Sequence, residues 1–258
     1  MPGGSMTRVT DHLREDWSGS RFEEIDFSRS RFQNVYFSDA VIRGAWLQRV
    51  EIDGYVEDVT INGVDVGPLI EAELDRRDPD RMLVRPTSAE EFRIAWQVVC
   101  RRWDAAVERA RRLPEEALHE RVDGEWSFIE TLRHLVMATD AWVLRALLGD
   151  PTPYHPLGLP HTEMPADTPG VANDPTARPS LEEILEVRAD RRHTVERVFV
   201  DLTDARLEEM TEPVTEPGYP ESQAHPVRRC LGAVVTEEWL HREYAERDLA
   251  VLEKRFAS

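Results

Sequence analysis

The chain has 258 residues and a formal net charge of -18, from 32 Lys and Arg against 50 Asp and Glu. That length holds one large domain or two modest ones. That charge excludes binding to nucleic acid by phosphate neutralisation, or to an anionic membrane surface. The two cysteines, Cys100 and Cys230, stand outside any C-x-x-C motif, and the N-terminus MPGGSMTRVT lacks an apolar signal core. No apolar run approaches the ~20 residues of a membrane span. A cytoplasmic protein without a disulfide framework is expected.

The first segment has a period of five. Trp17, Phe22, Phe27, Phe32, Phe37, Ile42, Leu47 and Ile52 are large and apolar, and two places before most of them sits a small or β-branched residue such as Ser20, Ile25, Ser30 or Val35. Neither a helix nor an ordinary strand has this period, and a fixed repeat is the signature of a solenoid. The pattern resembles the pentapeptide-repeat family, although the usual Leu centres and most Asn/Asp positions are missing. The resemblance implies a short right-handed β-helix of about two coils with the apolar centres stacked inside. We assign residues 1–66 to this β module, which is too short to imitate duplex DNA and is expected to be a small cap.

Residues 67–86 read as a connector that contains one helix, with Pro68 in its first turn and Asp78-Pro79 after its end. Residues 87–258 carry long helical patterns. A first helix follows the cap Thr87-Ser88, presents Phe92, Trp96, Val99, Trp103, Val107 and Ala110 on one face, and stops before Pro114. A second runs from Ser127 to about Leu148, opened by a Ser127–Glu130 capping box. A proline-dense stretch, residues 150–179, precedes a third helix opened by Ser180 and Glu183. A second proline-rich loop, residues 213–226, leads to a last helix over Thr236–Leu252. Four long helices with two long links read as a four-helix bundle, so the fold expected is mainly α behind a small β module.

The last helix carries the chemistry. Cys230, Val234, Glu237, His241, Tyr244, Asp248 and Val251 recur at steps of three and four, and we expect that face to enter the core. Glu237 and His241 then sit one turn apart on it, where a divalent metal would compensate the cost of their burial. A plain surface Glu–His pair has the same spacing. His134 on the second helix, one turn after Glu130, is the third candidate ligand. Two His and one carboxylate leave positions open on a bound ion; zinc suits the set best, and nickel or iron(II) is admitted. Glu130 and Glu238 become the alternatives if the helix faces are rotated. The open position serves to bind water, or to hold a thiol as its thiolate.

GEW-S-x-x-E-T-L-R-H-L on the second helix, the proline-rich loop and E-E-W-x-H-R-x-Y-A-x-R-D-L on the last helix together resemble the DinB-like superfamily, over about Thr87 to Phe256. That group includes mycothiol-dependent maleylpyruvate isomerases and related thiol transferases. The resemblance implies a four-helix bundle holding a metal through His134, Glu237 and His241. It also implies a low-molecular-weight thiol such as mycothiol as cosubstrate and a small-molecule substrate. The competing reading is a non-catalytic stress-related or interaction protein whose metal is structural. His155, between Tyr154 and Pro156 in the first loop, is expected to line the pocket nearer the ion than His161, with the loop over the open side of the metal. Arg133 or Arg145 is expected to offset an anionic cosubstrate. Arg242 and Arg247 are expected in surface ion pairs, Glu238 at a solvated position, Asp248 in a structural hydrogen bond, and His12, His119, His193 and His225 facing solvent. Monomer and homodimer both remain open.

Overall fold

A computed structural model describes residues 11–256. The first ten residues of the predicted β module and the last two of the bundle lie outside the described residues. The chain divides into two compact units between Tyr55 and Val56.

In the first unit the five-residue period is written into the backbone. φ is positive at Arg14, Gly19, Glu24, Arg29, Asn34, Asp39, Gly44 and Arg49, every fifth residue. Turn hydrogen bonds run from the amides of Ser20, Ser30 and Ala40 to the carbonyls of Trp17, Phe27 and Phe37. The expected β-helix is not shown. The only strands among the described residues are β1 (Thr60–Ile61) and β2 (Val64–Asp65), a two-stranded antiparallel hairpin that lies in the second unit. The apolar centres do meet: Trp17, Phe22, Phe27, Phe32 and Phe37 contact ring to ring in series at 5.5–6.1 Å. They are not sealed, for Trp17 is 42% exposed and Phe37 59%. So few units leave the rings without a covering layer, and they form an aromatic ladder open to solvent.

The second unit is helical. α1 (Gly67–Arg77) begins with proline in its first turn, and α2 (Asp80–Leu83) follows. α3 (Ala89–Ala110) is capped by the Ser88 hydroxyl and buries the predicted Phe92, Trp96, Val99, Trp103, Val107 and Ala110 stripe. α4 (Phe128–Thr139) opens with the Ser127–Glu130 capping box, and all of its residues except Glu130 are buried. A helix apolar on nearly every side belongs at the centre of a bundle. It does not stay α-helical to Leu148: Asp140–Arg145 form a π-helical turn, with Ala146 and Leu148 bonding five residues back. α5 (Leu181–Val200) has its own Ser180–Glu183 capping box, α6 (Asp204–Leu207) is one turn, and α7 (Val227–Phe256) is 30 residues long, longer at both ends than its predicted core. α7 packs on α3 and α4, while α5 packs on α4 and α3, which closes a ring of four long helices around a single core. Among the described residues no helix is long and apolar enough to cross a membrane.

The two proline-rich loops are tied down by buried arginines. Arg133 on α4, fully buried, donates to the carbonyls of Leu157, Asp174 and Ala177 in the first loop. Arg145 donates to Val214, Glu216 and Pro220 in the second. The loops also meet one another. The Tyr154 hydroxyl accepts from the Tyr219 amide at 2.7 Å and donates to the Tyr219 carbonyl at 2.5 Å. Gly170 lies so close to the Pro217 carbonyl that any Cβ there would collide with it. Arg133 therefore spends its donors on loop carbonyls, and Arg145 does so through Nε and Nη2, while its buried Nη1 has no partner among the described residues.

Candidate metal centre

α7 buries only part of the face expected of it. Cys230, Val234 and Asp248 go inside together with Val227, Leu231, Val235, Glu238, Trp239, Arg242, Ala245, Leu249 and Leu252, while Glu237, His241 and Tyr244 stand at the edge. The rotation follows from Glu238. It is buried and paired with buried Arg188 of α5 at 2.9 Å, and its carbonyl accepts from the Trp103 indole. Glu238 is therefore not at a solvated position. Nor is Arg242 on the surface: it is buried with its guanidinium 4.0 Å from the Trp239 ring centre. The residue beside Glu238, Glu237, is left at the rim, where an ion bound to it can be reached from outside.

His134, Glu237 and His241 converge there, each offering a ligand atom within 4.8 Å of the others. Their tautomers can be read from their partners. His134 Nδ1 faces the Leu159 carbonyl at 3.0 Å, and a carbonyl only accepts, so Nδ1 carries the hydrogen. His241 Nδ1 likewise faces the Glu237 carbonyl at 3.0 Å, which leaves Nε2 with the lone pair. His134 Nε2 then meets Glu237 Oε2 at 3.3 Å. Two acceptors at that separation need a positive charge between them, either a second proton on the ring or a metal ion. Ligand atoms bound tetrahedrally at about 2.1 Å lie about 3.4 Å apart, so the spacing fits a zinc-like ion. The Leu159 carbonyl is the kind of outer partner that orients a metal-bound imidazole. It also ties the first loop to the site, and Arg133, next to His134, holds the same loop at Leu157.

Charge and burial agree with this arrangement. Burial pushes the Glu237 carboxyl up, but the hydrogen bond with His134 and the charges of His134 and His241 outweigh it and leave it below the usual carboxylate range. Burial, helped by the neighbouring His134, takes His241 down to about 4. His241 is thus neutral and available as a ligand at physiological pH.

The surroundings are aromatic. The Trp126 ring lies 4.6 Å from that of His134 and 6.0 Å from that of His241, and Tyr244 flanks His241 at 6.0 Å. Trp126 is set over the pair by a turn through Asp123 and Gly124, both with positive φ. Only its place in GEW, just ahead of the capping box, marked it in the sequence.

Of the loop histidines, the structure does not bring His155 to the triad. Its amide donates to Asp140, its Nδ1 accepts from the Leu157 amide, and burial with the nearby Arg191 lowers its pKa. His161 is the one that faces the site. Burial lowers its pKa, His134 lowers it further, and Glu237 acts in the opposite sense. Glu130 is committed to the capping box and to Arg121, and Asp248 bonds Arg247. His225 is buried at 2% exposure rather than solvent-facing, with its ring 5.5 Å from Trp142. A cleft of about 610 Å³ between the ends of α4 and α5 is lined by none of the triad.

A helical bundle with a two-histidine, one-carboxylate cluster at the rim of its core defines the class: a helical protein whose donor set fits a divalent metal. The sequence matches the model of the DinB superfamily over residues 67–245, and the chain belongs to that superfamily. No curated protein matches the chain.

Proposed function

We propose that this protein is a divalent-metal-dependent enzyme in which His134, Glu237 and His241 hold the ion, zinc before nickel or iron(II). Its reaction is transfer or addition of a low-molecular-weight thiol, such as mycothiol, to an electrophilic small molecule, or a thiol-assisted isomerisation. The observation that carries the reading is the convergence of His134, Glu237 and His241, whose ligand atoms lie within 4.8 Å of one another, with His134 Nε2 3.3 Å from Glu237 Oε2. When bound, such an ion holds a thiol as its thiolate. The protein's own residues orient the ligands: the Leu159 carbonyl fixes His134, and Trp126 walls both imidazoles. The substrate is a small molecule, not nucleic acid or membrane, and the protein works in the cytoplasm as monomer or homodimer. We further read residues 1–66 as a pentapeptide-like module, which the left-handed φ at every fifth residue supports.

The competing reading is a structural metal joining α4 to α7 in a non-catalytic protein. Metal-loaded protein is incubated with mycothiol, or a panel of small thiols, and a generic electrophile, and thiol loss is followed. Consumption that disappears in folded His241→Ala supports the enzyme. No consumption, with a large fall in melting temperature on chelation, supports the structural metal.

A further inference from the structure

Next to the triad lies a strip of rings whose polar ends are unengaged. His161 contacts Tyr219 at 5.4 Å between ring centres, Tyr219 contacts Trp142 at 6.2 Å, and the Arg229 guanidinium lies 5.7 Å from the Trp142 ring centre. Arg229 is exposed, and no carboxylate among the described residues pairs with it. Many other arginines of this acidic chain are ion-paired, among them Arg81, Arg85, Arg102, Arg109, Arg191 and Arg247. The Tyr219 hydroxyl and the His161 ring nitrogens also have no hydrogen-bond partner among the described residues. Tyr219 lies between the ends of the strip, within the fields of both Glu237 and Arg229. A cation beside two edge-to-face rings, two free hydrogen-bonding groups and the candidate metal centre at the far end make an oriented binding surface.

We propose that Arg229 binds a carboxylate of the reacting small molecules, whose body lies in the angle between the Tyr219 and Trp142 rings, set at 82° to each other, with its reactive end at the triad. This rests on the proposed metal chemistry for the role of that end, but not for the anion contact. Arg229 sits two turns ahead of Glu237 on α7, so one helix carries both the anchor and a metal ligand. The carboxylate belongs either to the electrophile or to the thiol, and the two are separable by probe.

Calorimetric titration uses cinnamate as a flat carboxylate, cinnamamide as its uncharged twin, and S-methylglutathione as an unreactive thiol-derived carboxylate. Cinnamate is expected to bind at least about tenfold more tightly than cinnamamide, with that margin lost in Arg229→Gln and largely kept in Arg229→Lys. Arg112→Gln, an exposed arginine at the end of α3, leaves it unchanged. A dependence on Arg229 for S-methylglutathione and not for cinnamate places the carboxylate on the thiol. Chelator-stripped protein keeps the Arg229-dependent margin, so failure of the metal reading leaves this test intact. Equal binding of acid and amide together with S-methylglutathione binding that ignores Arg229, or unchanged binding of both carboxylates in Arg229→Gln, overturns the proposal.

Discussion

Replacing Arg188 by Met tests why α7 presents Glu237 rather than Glu238 to the candidate metal centre. The Arg188 and Glu238 side chains are 6% and 3% exposed and meet at 2.9 Å, with the guanidinium also 5.1 Å from the Trp103 ring centre. Methionine keeps most of the volume but leaves the Glu238 carboxylate buried without its partner. Breaking such a pair from one side costs about 3–5 kcal/mol, mostly the penalty of the stranded charge. For a chain of this size each kcal/mol moves the midpoint by roughly 2–4 °C, so a fall of about 6–20 °C is expected. Removing both charges with Arg188→Met/Glu238→Leu should recover most of that loss, because two apolar side chains can replace a buried pair at little cost. The single variant should also lose metal affinity, since α7 is then free to turn its stranded carboxylate outward and displace Glu237. The assay is a thermal melt of the wild type and both variants with elemental analysis of each. A single-variant loss below about 1 kcal/mol, or a double variant no better than the single, refutes the argument that this pair fixes the helix face.

Further outcomes follow from the same geometry. Protein purified without chelator should carry close to one divalent ion per chain, which His134→Ala, Glu237→Ala and His241→Ala should each largely lose and His155→Ala and His161→Ala should keep, by elemental analysis. In metal-stripped protein the folded state holds His241 at about 4 while the unfolded chain titrates near the ordinary 6.5, so the unfolded state binds the extra proton between those values. Stability is then full above pH 6.5 and falls as pH drops toward 4; denaturant melts across that range should show the slope, and His241→Gln should reduce it, with the lowered His119, His155, His161 and His225 left to contribute a slope of the same sign. Arg133→Met removes the donor to three loop carbonyls, at about 1–3 kcal/mol for each acceptor left buried and unbonded. Hydrogen exchange over residues 150–179 should rise sharply while α3 exchange stays protected.

The helices were legible because their signals are local. Ser88, Ser127 and Ser180 cap the helices they were expected to cap, and the aromatic stripe of α3 is the one its spacing predicts. The triad was legible because His134, Glu237 and His241 stand in motifs with the residues that start or flank their helices. What failed was everything decided by a partner distant in sequence. Glu238 looks like a surface charge until Arg188 of α5 is seen beside it. Arg133 and Arg145 look like free cations until the loop carbonyls arrive. The distances of His155 and His161 from the triad depend on the path of a proline-rich loop, for which periodicity says nothing. The five-residue repeat of the N-terminal segment was visible in sequence and recurs in φ, but a repeat does not specify whether its centres are covered.

Adjacent carboxylates on one helix diverge by about 100°, so a single rotation of α7 decides the use of both Glu237 and Glu238. Buried in the core without a partner, either would be too costly to stay charged; exposed fully, neither would hold a metal with selectivity. The chain separates the cases by what waits on each side. Arg188 on α5 neutralises Glu238 inside, and the two imidazoles of His134 and His241 confront Glu237 at the rim, where an ion can still exchange ligands with solvent. The cost of the interior pair is offset by the orientation it imposes: α7 cannot turn inward by one residue without stranding Arg188 and burying the candidate ligand Glu237. A bundle that held only apolar residues at 188 and 238 would pack as well but would let the last helix settle over a wider range of rotations, and a site built from ligands on two helices tolerates little of that.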